Sequence, residues 1–194
     1  LVRTQMIVKG HDFPNVTLMG VLAADMSLGV CDHRAGERTF QLLTQAAGRA
    51  GRGSRPGEVV IQTYQPEHYS IVHAAAQDYE GFYEEEILYR SLLAYPPVAH
   101  ILAVQVGAPT QEGAAQMAQC MRTLVGEAPE GSYVIGPAPA SIGKINDVFR
   151  YALYIKSPDY GLLTGLKDRM EHYLKGQGEA AGRVQFDFDP MSPY

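Results

Sequence analysis

Two consecutive prolines, Pro96 and Pro97, follow Tyr95 at the end of a long run of helical periodicity, and they limit what this chain can fold into. Neither donates a backbone hydrogen bond, and each pushes the residue before it out of helical backbone, so the helix stops here and a domain boundary falls with it. Beyond the boundary, residues 98–194 read β-α-β-β-α-β. His100 to Val106 alternates, Gln111 to Val125 is an Ala/Met-rich amphipathic helix, and Tyr133 to Pro139 is a strand running into a proline-broken bend. Val148 to Lys156 is a strand with Phe149, Tyr151, Leu153 and Ile155 on one face, Leu162 to Leu174 a helix, and Val184 to Phe188 the last strand. That order predicts a ferredoxin-like α+β domain, a fold that hosts many functions and specifies none.

Upstream of the prolines the pattern differs. Thr4 to Val8 is a short β-like run and Lys9-Gly10-His11-Asp12-Phe13-Pro14 a turn. Val16 to Ala24 is a continuous apolar run of strand length, which suits a strand covered on both faces in a parallel sheet. Asp25 then falls at the strand's C-terminal end, either as a turn residue or where open α/β sheets place ligand contacts. A helix is expected from Gly36 or Glu37 to about Gly48, burying Phe40, Leu43 and Ala47, and Gly57 to Tyr64 forms another strand. Residues 67–97 read as a helical linker in which Glu84-Glu85-Glu86 forms a solvated face and Glu86 and Arg90 an ordinary i,i+4 pair.

Charge is informative by its distribution rather than its sum. The net charge of −5 does not announce a nucleic-acid binder, yet residues 1–60 carry seven basic against five acidic side chains, while 61–95 carry one against six. Cys31 and Cys120 lie far apart and the six histidines have no ligand spacing, so neither a disulfide framework nor a metal site is signalled, and a reduced cytoplasmic setting fits. No apolar run approaches the roughly 18 residues of a membrane span, and no secretory leader is visible. The chain begins at Leu1-Val2 without an initiator Met, which reads as the interior of a longer polypeptide.

The densest chemistry lies in Gln45-Ala-Ala-Gly-Arg-Ala-Gly-Arg52. Arg49 and Arg52, three apart, share one side of a helix end; their guanidinium forks suit phosphate oxygens, and Gly48 and Gly51 let a nucleotide approach closely. A helix C-terminus capped by Gly51 and Gly53, with its arginines in water, accounts for the same residues.

With Thr4 to Pro14 and Asp32 to Arg52 taken together, the chain resembles motifs V and VI of superfamily 2 helicases, and in detail the PriA (primosomal protein N′) family of bacterial replication-restart helicases. The likeness continues through Gly57 to Thr63, Tyr95-Pro96-Pro97, Ile135-Gly-Pro-Ala-Pro139 and Phe186-Asp-Phe-Asp-Pro190. It implies an α/β chain in which residues 1–66 are part of a RecA-like helicase lobe 2, followed by the linker and a C-terminal domain that meets DNA and protein partners. It further implies an ATP-dependent 3′–5′ DNA helicase that recognises forked or single-stranded DNA and works with single-stranded DNA-binding protein and other primosome proteins. In that scheme Arg52 is an arginine finger, Arg49 its phosphate-contacting companion and Gln45 an orienting residue, with Gly48, Gly51 and Asp25 about the nucleotide. Thr4, Lys9, Gly10 and Asp12 contact the translocated strand. In the C-terminal domain Lys144, Arg150, Tyr151 and Lys156 are the candidates for phosphate and base contacts, against a plain hairpin with scattered surface cations.

ATP and Mg²⁺ belong to the intact motor, and zinc to a module upstream of these residues. The phosphate loop Gly-x-x-x-x-Gly-Lys-Ser/Thr is absent from the sequence, so the chain alone is not expected to hydrolyse ATP or to hold a cofactor. Two further readings use the same residues: a different superfamily 2 translocase, or a non-enzymatic module whose Arg/Gly helix end binds an anion or a partner.

Overall fold

The computed structural model describes residues 16–29, 32–50, 56–177 and 183–191. Thr4, Lys9, Gly10, Asp12, Gly51 and Arg52 lie outside them. The chain forms two compact units, Leu1–Tyr89 and Arg90–Tyr194.

In the first unit β1 (Leu18–Val21) and β2 (Glu58–Ile61) pair in parallel, Leu18 opposite Glu58 and Val21 opposite Ile61. A 3-10 turn at Ala24–Ser27 leads to α1 (Ala35–Ala47). Asp32 organises the start of that helix: its Oδ1 accepts the Arg34 N–H at 3.0 Å, its carbonyl accepts the Ala35 N–H, and its Oδ2 pairs with the Arg38 guanidinium. Phe40 and Leu43 recur at helical spacing and close the core together with α2 (Tyr69–Ala76) and α3 (Tyr79–Leu92), the Phe40 and Phe82 rings stacking at 4.1 Å. Residues 69–89 therefore pack with the first unit rather than standing apart as a linker.

Two sequence expectations fail here for the same reason, that faces are assigned by packing. Among the described residues strand β1 is covered on one side only: Leu18 is 62 % exposed and Val60 of β2 51 %, while Val21 and Ile61 turn to the covered face. Glu86 does not belong to a solvated face. It is 7 % exposed, and its Oε2 accepts the Tyr69 hydroxyl at 2.6 Å.

The second unit carries β3 (His100–Ala108), α4 (Gln111–Val125), β4 (Tyr133–Ile145), β5 (Val148–Ser157), α5 (Tyr160–Gln177) and β6 (Arg183–Phe188). The sheet order is β4-β5-β3-β6, with every neighbouring pair antiparallel, the split β-α-β arrangement expected from the sequence. Thr110 caps α4 by accepting the Gly113 N–H, and Asp159 accepts the Leu162 N–H at the start of α5. One sheet face packs on the two helices through Leu102, Val104, Leu153 and Ile155 against Met121, Leu163 and Met170.

The motifs that single out this sequence have structural duties. Phe186 and Phe188 pack on the core while Asp189 latches the end of the edge strand β6 to the start of β3, accepting the Ile101 N–H at 2.7 Å and meeting His100 Nδ1 at 2.9 Å. Gly136 has φ +95°, and a Cβ there would lie 2.8 Å from the Ala152 carbonyl, so only glycine permits the irregular step between Ile135 and Ala138.

Candidate nucleic-acid interface

The first candidate surface is the far end of α1. The helix runs to Ala47 and closes on Gly48, whose N–H bonds the Thr44 and Ala46 carbonyls in right-handed rather than left-handed backbone. Gln45 and Gly48 are exposed and Arg49 is half-buried, its N–H on the Ala46 carbonyl at 3.0 Å. The buried stripe of Phe40 and Leu43 holds the opposite side of the helix inward, so the sequence displays Gln45 and Gly48 by default.

Asp25 is not brought to that end. The hydroxyl of Ser27, in the same 3-10 turn, meets the Thr39 hydroxyl at 2.7 Å near the beginning of α1. At 1.5 Å per residue, Gln45 and Arg49 lie about 10–15 Å further along the helix. Asp25 keeps a buried Oδ1 that has no hydrogen-bond partner among the described residues. A parallel strand pair with its connecting helix puts strand ends and helix ends on opposite edges, which a rule about strand termini alone misses.

The second candidate surface is the β4–β5 hairpin, where the structure separates the four predicted residues. Lys144 sits near the tip, 2.9 Å from Asp147 and 4.9 Å from the centre of the Phe149 ring. Arg150 lies on the sheet face away from the helices and donates to Gln105 Oε1 at 3.1 Å. Tyr151, one residue on, points to the opposite face and packs on the helix-side core, so it is no stacking platform for a base. Lys156 is 6 % exposed; its Nζ donates to the Leu93 carbonyl at 3.0 Å and lies 3.4 Å over the Tyr95 ring. Burial holds its pKa below the ordinary lysine range. Its charge is already satisfied inside the protein and does not reach a phosphate.

What the sequence alone did not mark is the company of Arg150. Gly107 of β3 stands in register with Arg150 on one side and Arg183 on the other, and Gln105 with Gln185. These side chains and Asn146 of the hairpin turn line a cavity of about 380 Å³ on the open sheet face. The alternation of β6 shows that Arg183 and Gln185 face away from Val184 and Phe186; only the pairing register shows which residues they join.

The second unit is thus a split β-α-β sandwich whose sheet face away from the helices carries two arginines and two glutamines about Gly107. The model of the Primosomal protein N C-terminal domain family matches residues 91–191, and the chain belongs to that family. Among similar proteins are the Replication restart protein PriA of Bacillus subtilis (strain 168), 42 % identical over 98 % of this chain and 24 % of its own length, and that of Synechocystis sp., 40 % identical over 99 % and 23 %. The protein of the same name from Treponema pallidum is 32 % identical over 99 % of this chain and 29 % of its own. The chain spans about a quarter of the length of these relatives. Among the described residues no helix is long and apolar enough to cross a membrane, and no cluster of His, Cys, Asp or Glu suits a metal ion.

Proposed function

We propose that this chain is the C-terminal portion of an ATP-dependent DNA helicase of replication restart, acting in the cytoplasm on forked DNA with single-stranded DNA-binding protein and other primosome proteins. Residues 1–66 contribute to the second RecA-like motor lobe, and the unit from Arg90 onward meets DNA. The observation that carries this reading is the exposure of Gln45 and Gly48 beside Arg49 at the end of α1, followed directly by Gly51-Arg52, in a chain 42 % identical over 98 % of its length to a replication restart protein.

The mechanism follows from charge. As the terminal phosphoryl group of ATP departs, negative charge spreads over its oxygens, and guanidinium groups aimed at those oxygens bind the transition state more tightly than the ground state. Arg52 acts as the finger and Arg49 as its companion. Gln45 orients the site, and Gly48 and Gly51 leave room for the nucleotide. The phosphate loop and Mg²⁺ sit on the opposing lobe, so the arginines engage only when the lobes close. Opening after hydrolysis shifts Thr4, Lys9, Gly10 and Asp12 along the bound strand. Arg49→Ala in the full-length protein should abolish ATP-dependent unwinding of a fork while leaving fork binding intact; retained unwinding would refute the assignment.

A further inference from the structure

The cavity on the open face of the second unit has no part in the motor chemistry, and its construction is specific. Arg150 and Arg183 stand on strands either side of β3, both in register with Gly107, about 10 Å apart at two strand spacings. Gly107 contributes no side chain between them, the Val148 Cγ1 methyl lies 3.0 Å from where a Cβ would sit, and both arginines line the same cavity. No carboxylate lines the cavity. Asp147 is turned to solvent and paired with Lys144, and Asp187 is opposite Ala103, toward the other end of the strands. Two like charges share a sheet face without a counter-ion among the described residues, an arrangement that repels unless an anion joins it. Arg150 is already steered by Gln105, which uses one of its five N–H donors and leaves the rest for a ligand.

The other lining groups narrow the ligand. Gln105, Gln185 and Asn146 are amides, each offering a donor and an acceptor, the complement of a base edge. Val148 and Ile145, both more than a third exposed, supply an apolar rim for a base face. A bare carboxylate needs donors only. The volume of about 380 Å³ falls within the range of small-ligand sites.

The geometry points to a pocket for one unpaired nucleotide of a DNA strand, its phosphate held between Arg150 and Arg183 and its base read by Gln105, Gln185 and Asn146. This rests on the reading of the second unit as a DNA-binding domain. In a fork, such a pocket engages a nucleotide beside the branch, where base edges are free, and a continuous duplex offers none.

The test measures binding of the full chain to labelled oligothymidylate, to a fork with unpaired arms and to blunt duplex, over a range of salt and without ATP. Arg183→Gln and Arg150→Gln are each expected to weaken binding to single strand and fork about tenfold and to flatten the salt dependence by close to one phosphate contact, with duplex binding little changed. Gln185→Ala should weaken binding with the salt slope kept, and Arg183→Lys should restore the slope more than the affinity. Competition by free thymidine monophosphate, weaker than by the oligonucleotide, is expected for a site that reads a nucleotide within a strand; equal or stronger competition would overturn the strand in favour of a free nucleotide. A glutamate-rich peptide that displaces the strand and is itself lost in Arg183→Gln would reassign the pocket to an acidic segment. If the unsubstituted chain binds none of the DNAs, the DNA-binding reading and the pocket fall together; if it binds and both arginine variants match it, the pocket alone is wrong.

Discussion

The Lys156 ammonium lies 3.4 Å over the Tyr95 ring, on the sheet face opposite the helices, and the Leu93 carbonyl completes its coordination. A lysine that reads in sequence as a surface cation of a hairpin is therefore part of the interior of the second unit. It fastens β5 to the segment bearing the Tyr95-Pro96-Pro97 motif. Lys156→Ala is expected to cost about 1–3 kcal/mol, combining the lost cation–π contact and an orphaned carbonyl, with DNA affinity unchanged. Urea unfolding and anisotropy titration measure the two effects separately.

The same burial sets a pH dependence. The folded pKa of Lys156 is lowered by desolvation from 10.5, so between the two values the unfolded chain binds more protons and stability rises with pH. Lys156→Met should flatten that alkaline rise in the urea midpoint measured from neutrality toward pH 10.5.

In the first unit a Cβ at Gly36 would collide with the Tyr69 hydroxyl and lie 3.0 Å from both Glu86 Oε2 and Ser70 Oγ. Alanine ordinarily favours a helix by about 1 kcal/mol over glycine, but here the half-buried Tyr69–Glu86 bond must be displaced, so overpacking wins. Gly36→Ala is predicted to destabilise by about 1–3 kcal/mol in thermal unfolding.

Burial, then the bond to Glu86, push the Tyr69 phenol above its ordinary 10.0. The unfolded chain ionises this group first, so its contribution is present below pH 10 and fades as pH climbs toward the folded value. Tyr69→Phe should remove one high-titrating phenol from an ultraviolet titration and lessen the alkaline loss of stability.

Asp189→Ala leaves the Ile101 N–H without its 2.7 Å acceptor and frees His100. The expected cost is about 1–3 kcal/mol, with hydrogen exchange rising first along β6 and the start of β3.

How much of this was legible beforehand depended on periodicity. Phe40 and Leu43 gave α1 its inward side, and the β-α-β-β-α-β order gave the sheet of the second unit, because apolar spacing of 3.6 or 2 is written in the chain. The sides that matter for function were not. The sequence offers Arg150 and Tyr151 alike as candidate nucleic-acid contacts, but alternation places them on opposite faces, Tyr151 against the core. Lys156 was read as exposed because the stretch that covers it, Leu93 to Tyr95, lies some sixty residues earlier in the chain. Nothing in the sequence marks Arg183, since its partnership with Arg150 exists only through the register of β3 between them. Glu86 was lost for a similar reason: Tyr69, its partner, belongs to another helix.

The central claim concerns guanidinium groups at the end of α1 and a triphosphate held by the opposing lobe. The most direct test is DNA-stimulated ATP hydrolysis by the full-length protein carrying Arg52→Ala, with kcat and KM measured separately. An arginine finger predicts a fall in kcat of about a thousandfold or more with KM for ATP within a few-fold of the unsubstituted protein. A kcat that stays within about a factor of two, set against the loss an arginine finger entails, would contradict the account.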